Sequence, residues 1–373
     1  MRVLFAGSGI HGHLLPMMPL ARSFGSNGHD VGVLTSAQIG DLVAPEGFDL
    51  LATTATTADF IADTLRATGV DMRRKPENHG AAYVFAGSAV DLTVDEAMAQ
   101  TRDWRPDLIV YEISNFVGPL VAAALGVPAA MFAYGPRRPD AYTAAMADVV
   151  AKRYADRGLT PVPPIRYLDT CPPLVNYADW QPPAERQLLR PEAYRQPWRT
   201  DPVALPEKGA RHRVLVCFGT VFADPSRLSP LLRALTDQNL DVVVTLGLAA
   251  QDTEFDVDHT RVHFTPFAPL DELLSDVDVV VTHGGAGTTL GALAHGIPLV
   301  VLPRGADHPR QADRVTHAQA GITLHGAEAT QAAVADATTR CINDPRIKAG
   351  IARVHKEIQA MPSPDEVVQI LSA

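Results

Sequence analysis

Short runs of consecutive apolar residues, rich in valine, isoleucine and leucine, recur along the chain. Stretches long enough for a helix separate them. Four such runs lie in the first half, at Arg2–Phe5, Val31–Leu34, Leu108–Tyr111 and Ala129–Phe132. A run without polar alternation is what a parallel strand covered on both faces requires. Leu14–Asn27 and Val117–Leu125 are helix-length, and the first is followed by Gly28, a helix-stop signal. Strands alternating with helices predict a doubly wound α/β sheet.

The second half begins the same rhythm again, with strands expected at Val214–Phe218, Val242–Leu246, Val262–Phe264, Val279–Thr282 and Leu299–Leu302. Between the halves, 11 of the 30 prolines fall from Pro161 to Pro206. Proline fixes φ and lacks an N–H, so this region suits neither sheet nor helix interior. The expected division is an N-terminal domain over 1–199, a linker over 200–211, a second domain over 212–355 and a final segment over 356–373 that returns to the first domain. Two such domains are expected to leave a cleft at the carboxyl ends of their strands, where open α/β sheets bind ligands. Thr53–Met98 and Arg137–Arg195 fit the rhythm less well. They are either loops and helices shaping one side of that cleft or irregular surface connections.

Composition narrows the class. A length of 373 residues suits two domains, and 46% hydrophobic with 20% charged residues marks a folded globular chain. The formal charge of −10 disfavours binding to nucleic acid or an anionic membrane face. Three scattered cysteines, Cys171, Cys217 and Cys341, form neither a disulfide framework nor a zinc knuckle. Only Val3 to Ala6 are apolar before the first glycine, too few for a secretory core, and the stretch Pro119–Tyr134 is broken by Gly126 and Pro128. A cytoplasmic protein without a stable membrane anchor is expected. The oligomeric state is left open, a homodimer included.

Gly7-Ser-Gly9-Ile-His-Gly12 follows the first strand in a G-x-G-x-x-G spacing. A dinucleotide site also needs a carboxylate at the end of the next strand to hold the ribose. That strand ends Leu34-Thr35-Ser36, so a bound NAD or FAD is not expected. The loop does carry His11 and His13. An imidazole at a strand-to-helix turn, with an ordinary pKa of about 6.5, suits general-base work near neutral pH. Glu112, directly after the run Leu108–Tyr111, is a candidate partner to fix its tautomer.

The strongest signal lies in Val279–Arg314. A strand runs into His283-Gly284-Gly285-Ala286-Gly287-Thr288-Thr289, and a helix follows. Glycines admit a ligand close to backbone N–H groups, and the helix start adds its positive dipole end, a combination suited to a diphosphate. There is no Gly-Lys-Ser/Thr, so this is not a Walker A loop. Asp276-Val-Asp278 matches an Asp-x-Asp metal motif but precedes its strand, away from the expected cleft, and reads as a solvated connection. No metal is expected.

The run His283-Gly-Gly-x-Gly-Thr-Thr-x-x-Ala-Leu-x-x-Gly-x-Pro, then Pro303-x-x-x-Asp307, Arg314-Val315 and Gly321, resembles the donor signature of glycosyltransferase family 1, whose members have the GT-B fold. Gly12-His13-Leu-Leu-Pro16 and Leu108–Glu112 resemble the family's acceptor-side motif and its strand ending in the dyad acid. The flavour is that of the bacterial natural-product branch, which decorates polyketides and macrolides. The resemblance implies an inverting transferase that moves a sugar from a nucleoside-diphosphate sugar to an aglycone hydroxyl. His13 would be its base, with His11 the rival, and Glu112 would orient that base. Gly12, His283 and the backbone at Gly285, Ala286, Gly287, Thr288 and Thr289 would hold the donor, with Gly219 and Thr220 beneath the diphosphate. Asp307 and His308 would touch the sugar, and Phe267 would flank the base. Phe85, Phe116, Tyr134 and Tyr142 are candidates for the acceptor pocket.

Three departures from the family pattern matter. Glu112 replaces the usual aspartate. Gly291 stands where many members bind ribose hydroxyls through glutamate, a loss better matched to a dTDP-sugar than to a UDP-sugar. Asp307-His308 and Gln311 alter the pair that reads glucose hydroxyls, which suggests a deoxysugar. Two other functions stay open on the sequence: a catalytically degenerate partner protein, and a nucleotide-sugar epimerase of the same fold.

Overall fold

The computed structural model describes residues 1–72, 78–218, 225–246 and 251–373. Two parallel sheets organise it. The first contains β1 (Arg2–Ala6), β2 (Asp30–Ser36), β3 (Asp49–Thr53), β4 (Leu108–Glu112), β5 (Ala129–Ala133), β6 (Tyr167–Asp169) and β7 (Arg186–Leu188), in the spatial order 3-2-1-4-5-6-7. The second contains β8 (Arg213–Cys217), β9 (Asp241–Thr245), β10 (Val262–Thr265), β11 (Val279–Thr282), β12 (Leu299–Val301) and β13 (Gly321–Thr323), in the order 10-9-8-11-12-13. Each sheet reverses its winding once, between β1 and β4 and between β8 and β11. Side chains leaving the carboxyl ends of those pairs share a crevice, the usual ligand position in such folds. The register is close there: Ala6 pairs with Tyr111, and Cys217 with Thr282.

The all-apolar runs behave as their composition requires. Val3, Leu4, Phe5, Ile109, Val110, Val214, Val216 and Val279–Val281 are fully buried, because helices cover both faces of each sheet. The helix Val117–Leu125 ends at Gly126, whose φ of 68° is left-handed and suits a residue without a Cβ. The segment from Thr53 to Met98 is largely helical, with helices over Thr57–Thr68, Asn78–Tyr83 and Ala89–Trp104; the last two are joined by a π-helical turn at Val84–Ser88.

The chain divides into two compact units. The first comprises Met1–Thr170, Asp179–Leu189 and Pro362–Ala373; the second comprises Cys171–Ala178 and Arg190–Met361. Residues 200–211 therefore lie inside the second unit. Their backbone is tied there, Val203 N–H donating to Glu272 and the Pro206 carbonyl accepting from Arg213. The final helix, Pro364–Ser372, belongs to the first unit, where the Ser23 hydroxyl donates to Asp365 and Val367 and Val368 are fully buried. The three cysteines are free and buried. Among the described residues, no helix is long and apolar enough to cross a membrane.

Candidate functional site

In the first unit, β1 delivers the chain to Gly7-Ser8-Gly9-Ile10, after which a short helix starts at His11. Two glycines of the G-x-G-x-x-G spacing are demanded by packing. A methyl group on Gly7 would come within 2.8 Å of Leu14, and one on Gly9 within 2.6 Å of Ser36. These contacts explain the motif without a dinucleotide. Gly12 is exposed, with open space above it.

His13 Nδ1 lies 3.1 Å from Glu112 Oε1. Glu112 ends β4 and is fully buried. Its carboxylate also accepts from the Ser8 hydroxyl at 2.6 Å and the Ser114 N–H at 2.6 Å. Burial pushes the Glu112 carboxyl upward, but His13, Ser8 and the nearby Arg138 guanidinium more than offset this and hold it below the usual carboxylate range. An ionised carboxylate only accepts, so in the neutral imidazole His13 Nδ1 carries the proton and Nε2 keeps its lone pair. That is the tautomer a general base needs. It is thus His13, of the two histidines, that engages the acid; His11 is half-buried, and burial lowers its pKa.

The surroundings of His13 come from other elements. The Phe85 ring, carried on the π-helical turn, stacks on His13 at 5.4 Å between centroids. The Tyr134 hydroxyl sits 3.0 Å from His13 Nδ1 and 3.4 Å from Nε2. Arg138 donates to Ser114 Oγ, to the Ile113 carbonyl at 3.1 Å and to Tyr134 at 3.5 Å, and lies over the Tyr142 ring at 5.7 Å. Ser8, Ser114 and Arg138 were not among the residues the sequence singled out. Phe85 and Phe116, with Phe60, Ser114 and Thr35, wall a cavity of about 40 Å³. Ligand sites usually span roughly 300–1,000 Å³, so this cavity alone does not accommodate an aglycone.

In the second unit, β11 ends at Thr282 and the helix Ala286–Ala294 begins after three residues. Gly284 has φ 90°, and a methyl group there would come within 2.8 Å of Val301. A methyl group on Gly285 would come within 2.7 Å of His283 Nε2. Turn geometry thus accounts for both. It does not account for Gly287, which is exposed and where a methyl group would meet nothing within 4 Å. Gly285 offers no side-chain cap, and the first helical N–H groups have no intrahelical acceptor. Thr289 N–H bonds back to Gly285 O, which leaves those of Ala286, Gly287 and Thr288 at the open end.

His283 and His308 meet edge to face, with centroids 4.5 Å apart. Burial, reinforced by the neighbouring His308, pushes the His283 imidazole down to about 4, so it is neutral near pH 7 and acts as a hydrogen-bonding group. Burial lowers His308 as well. Asp307 accepts from Gln311 Nε2 at 3.3 Å, while the buried Gln311 Oε1 and Thr289 Oγ1 have no hydrogen-bond partner. Thr288 Oγ1 lies 3.8 Å from Cys217 Sγ. Phe267 is 38% exposed beside the Tyr194 ring. Position 291 is tightly packed: a methyl group would come within 3.1 Å of the Leu270 side chain and 3.3 Å of Ala193. Gly219 and Thr220 lie outside the described residues.

Asp276 and Asp278 are not a merely solvated connection. Arg213 pairs with Asp276, and Lys208 with Asp278 at 3.0 Å, at the amino ends of β8 and β11.

Comparison with known proteins decides the family. Models of the erythromycin biosynthesis protein CIII-like N-terminal and C-terminal domains match residues 22–173 and 229–373. The elloramycin glycosyltransferase ElmGT of Streptomyces olivaceus is 30% identical, over 98% of this chain and 96% of its own. The chain belongs to this family of antibiotic glycosyltransferases. The 3-alpha-mycarosylerythronolide B desosaminyl transferase of Saccharopolyspora erythraea is 26% identical to this glycosyltransferase, across 99% of the chain and 97% of the relative. The Streptomyces sp. SF2575 glycosyltransferase SsfS6, solved with thymidine diphosphate, superposes with a TM-score of 0.82 at 27% identity, covering 100% of this chain and 99% of that one. The glycosyltransferase described here therefore has the GT-B fold, with one Rossmann-like sheet in each unit.

Proposed function

We propose that this glycosyltransferase moves a deoxysugar from a dTDP-sugar to a hydroxyl of a natural-product aglycone, with inversion. The observation that carries the mechanism is the bond between His13 Nδ1 and the buried Glu112. It leaves the lone pair on His13 Nε2, which takes the acceptor proton. The acceptor oxygen then bonds to the anomeric carbon, the bond from that carbon to the diphosphate oxygen breaks, and its electron pair leaves with the nucleoside diphosphate. Glu112 stabilises the imidazolium that forms. The leaving charge meets the N–H groups of Ala286, Gly287 and Thr288, neutral His283 and the Thr288 hydroxyl, fixed dipoles that serve in place of a divalent cation. Turnover unchanged by EDTA is expected.

The nucleotide assignment is supported by Gly291, which carries no carboxylate to bind a ribose hydroxyl. It is also supported by the thymidine diphosphate bound to SsfS6. The sugar assignment is supported by Asp307, His308 and Gln311 and by the desosaminyl relative. His13→Ala is expected to lower turnover by roughly 10²–10⁴-fold while leaving dTDP binding intact. Full activity in that variant, or clearly tighter binding of UDP than dTDP by calorimetry, overturns the corresponding part.

A further inference from the structure

Glu112 is a buried carboxylate with His13 as its closest titratable neighbour, and a neutral His13 cannot balance its charge. Arg138, supplied from beyond β5, adds a smaller electrostatic contribution, after those of His13 and Ser8, to holding the Glu112 carboxyl ionised. Arg138 is itself fixed. One Nη donates to the Ile113 carbonyl, the residue after Glu112, and the other reaches Ser114 Oγ and Tyr134 Oη. Ser114 N–H grips Glu112 Oε2, and Tyr134 Oη contacts His13. A single guanidinium thus touches one residue that holds each member of the dyad, Ser114 on Glu112 and Tyr134 on His13.

We propose that Arg138 is a positioning residue for the His13–Glu112 dyad, acting through Ser114 on the acid and through Tyr134 on the base. This rests on His13 being the base. With Nδ1–H given to Glu112, the Tyr134 hydroxyl donates toward Nε2 in the resting enzyme and gives way when the acceptor hydroxyl arrives. Once His13 has taken the acceptor proton, the same hydroxyl accepts from it. Arg138, donating to Tyr134 oxygen, keeps that hydroxyl's hydrogen directed at the imidazole. The charges and titratable groups facing His13 are Glu112 from β4, Tyr134 from the end of β5, Arg138 beyond it, and His11 on its own turn. Removing the Arg138 charge leaves Glu112 as the dominant field, which favours imidazolium.

The test measures kcat, the KM of each substrate and the pH profile of kcat/KM in Arg138→Met, Arg138→Lys, Tyr134→Phe and His13→Ala, with thermal melts alongside. Arg138→Met is expected to lower kcat about tenfold or more with donor KM little changed, and to move the acid limb of the profile to higher pH. Arg138→Lys restores the limb but only part of kcat, because a lysine cannot span Ile113, Ser114 and Tyr134 together. Tyr134→Phe lowers kcat without moving the limb in the Arg138→Met direction. An acid limb that stays in place in a folded Arg138→Met overturns the positioning role, as does full kcat. If Arg138→Met fails to fold, wild-type kcat in both Arg138→Lys and Tyr134→Phe overturns it equally. Full turnover in His13→Ala instead sinks the base assignment, a different failure.

Discussion

Gly287 separates a structural from a functional account of the glycine-rich turn. Gly284 and Gly285 are needed by the turn itself, through a left-handed φ and close neighbours at 2.8 and 2.7 Å. Gly287 sits in the first turn of a helix with open space around the position its Cβ would take. Alanine there removes backbone freedom from the unfolded chain, so Gly287→Ala should stabilise the free protein by up to about 1 kcal/mol. The same methyl group intrudes where the N–H groups of Ala286, Gly287 and Thr288 would meet a diphosphate. Displacing one charged hydrogen bond forfeits roughly 1.5–3 kcal/mol, equivalent to a dissociation constant raised about 10- to 100-fold.

Stability and binding should therefore move in opposite directions. Thermal melting without ligand reads the first, and calorimetric titration with dTDP reads the second. Gly284→Ala is the control: it must strain φ and press on Val301, so it should lower the melting temperature. A Gly287→Ala protein that binds dTDP as tightly as the parent would refute the cradle. The turn would then be a packing device and the diphosphate would have to bind elsewhere.

Three further outcomes follow from the geometry. Glu112→Gln should lower turnover by roughly 10²–10⁴-fold, since an amide no longer dictates the His13 tautomer. Because the folded Glu112 carboxyl is depressed, its stabilisation is full above its ordinary value of 4.5 and disappears as pH falls through the folded value. Melting profiles from pH 3 to 6 should therefore be flatter in Glu112→Gln, by about the whole contribution of that group. His283 has the opposite starting charge: depressed to about 4, it resists protonation, so stability rises as pH increases from about 4 to 6.5 and is full above that. His283→Asn should flatten that rise, and an unchanged slope in melts across the interval would contradict a buried neutral imidazole. Ending the chain at Met361 removes Val367 and Val368, both fully buried, each worth roughly 1.5–3 kcal/mol. Denaturant titration should show the first unit weakened by several kcal/mol.

The fold was legible where burial is complete on both faces. All nine strands expected from unbroken apolar runs are present, within a residue or two of their predicted ends. The four strands that escaped notice are short or peripheral. β3 and β7 edge the first sheet and β13 edges the second, and β6 is three residues long. Edge strands keep one side toward solvent and carry polar residues, as in Arg186-Gln187-Leu188, so no apolar run announces them. Proline density marks irregular backbone and says nothing of what that backbone packs against. Residues 200–211 are irregular, yet their hydrogen bonds to Glu272 and Arg213 keep them in the second unit.

The candidate site divides in the same way. Residues with a signature tied to a strand end were found: His13 after β1, Glu112 at the end of β4, His283 after β11, with the first two in direct contact. Those that complete the first half-site carry no such signature. Ser8 and Ser114 look like turn residues, and Arg138 looks like one basic residue in Pro-Arg-Arg-Pro. Their role appears only when β1, β4 and β5 are side by side, because each acts on a residue far away in sequence, Ser8 on Glu112 across 104 positions. One weak signal existed. A glutamate ending an otherwise apolar central strand must be buried, and a buried carboxylate needs about three donors and a nearby cation. Seeking an arginine next to the neighbouring central strand, Ala129–Ala133, would have singled out 137 and 138. The same demand shows how the longer Glu112 is held in this place: its carboxylate takes hydrogen bonds from Ser8, Ser114 and His13, which fix it beside the imidazole.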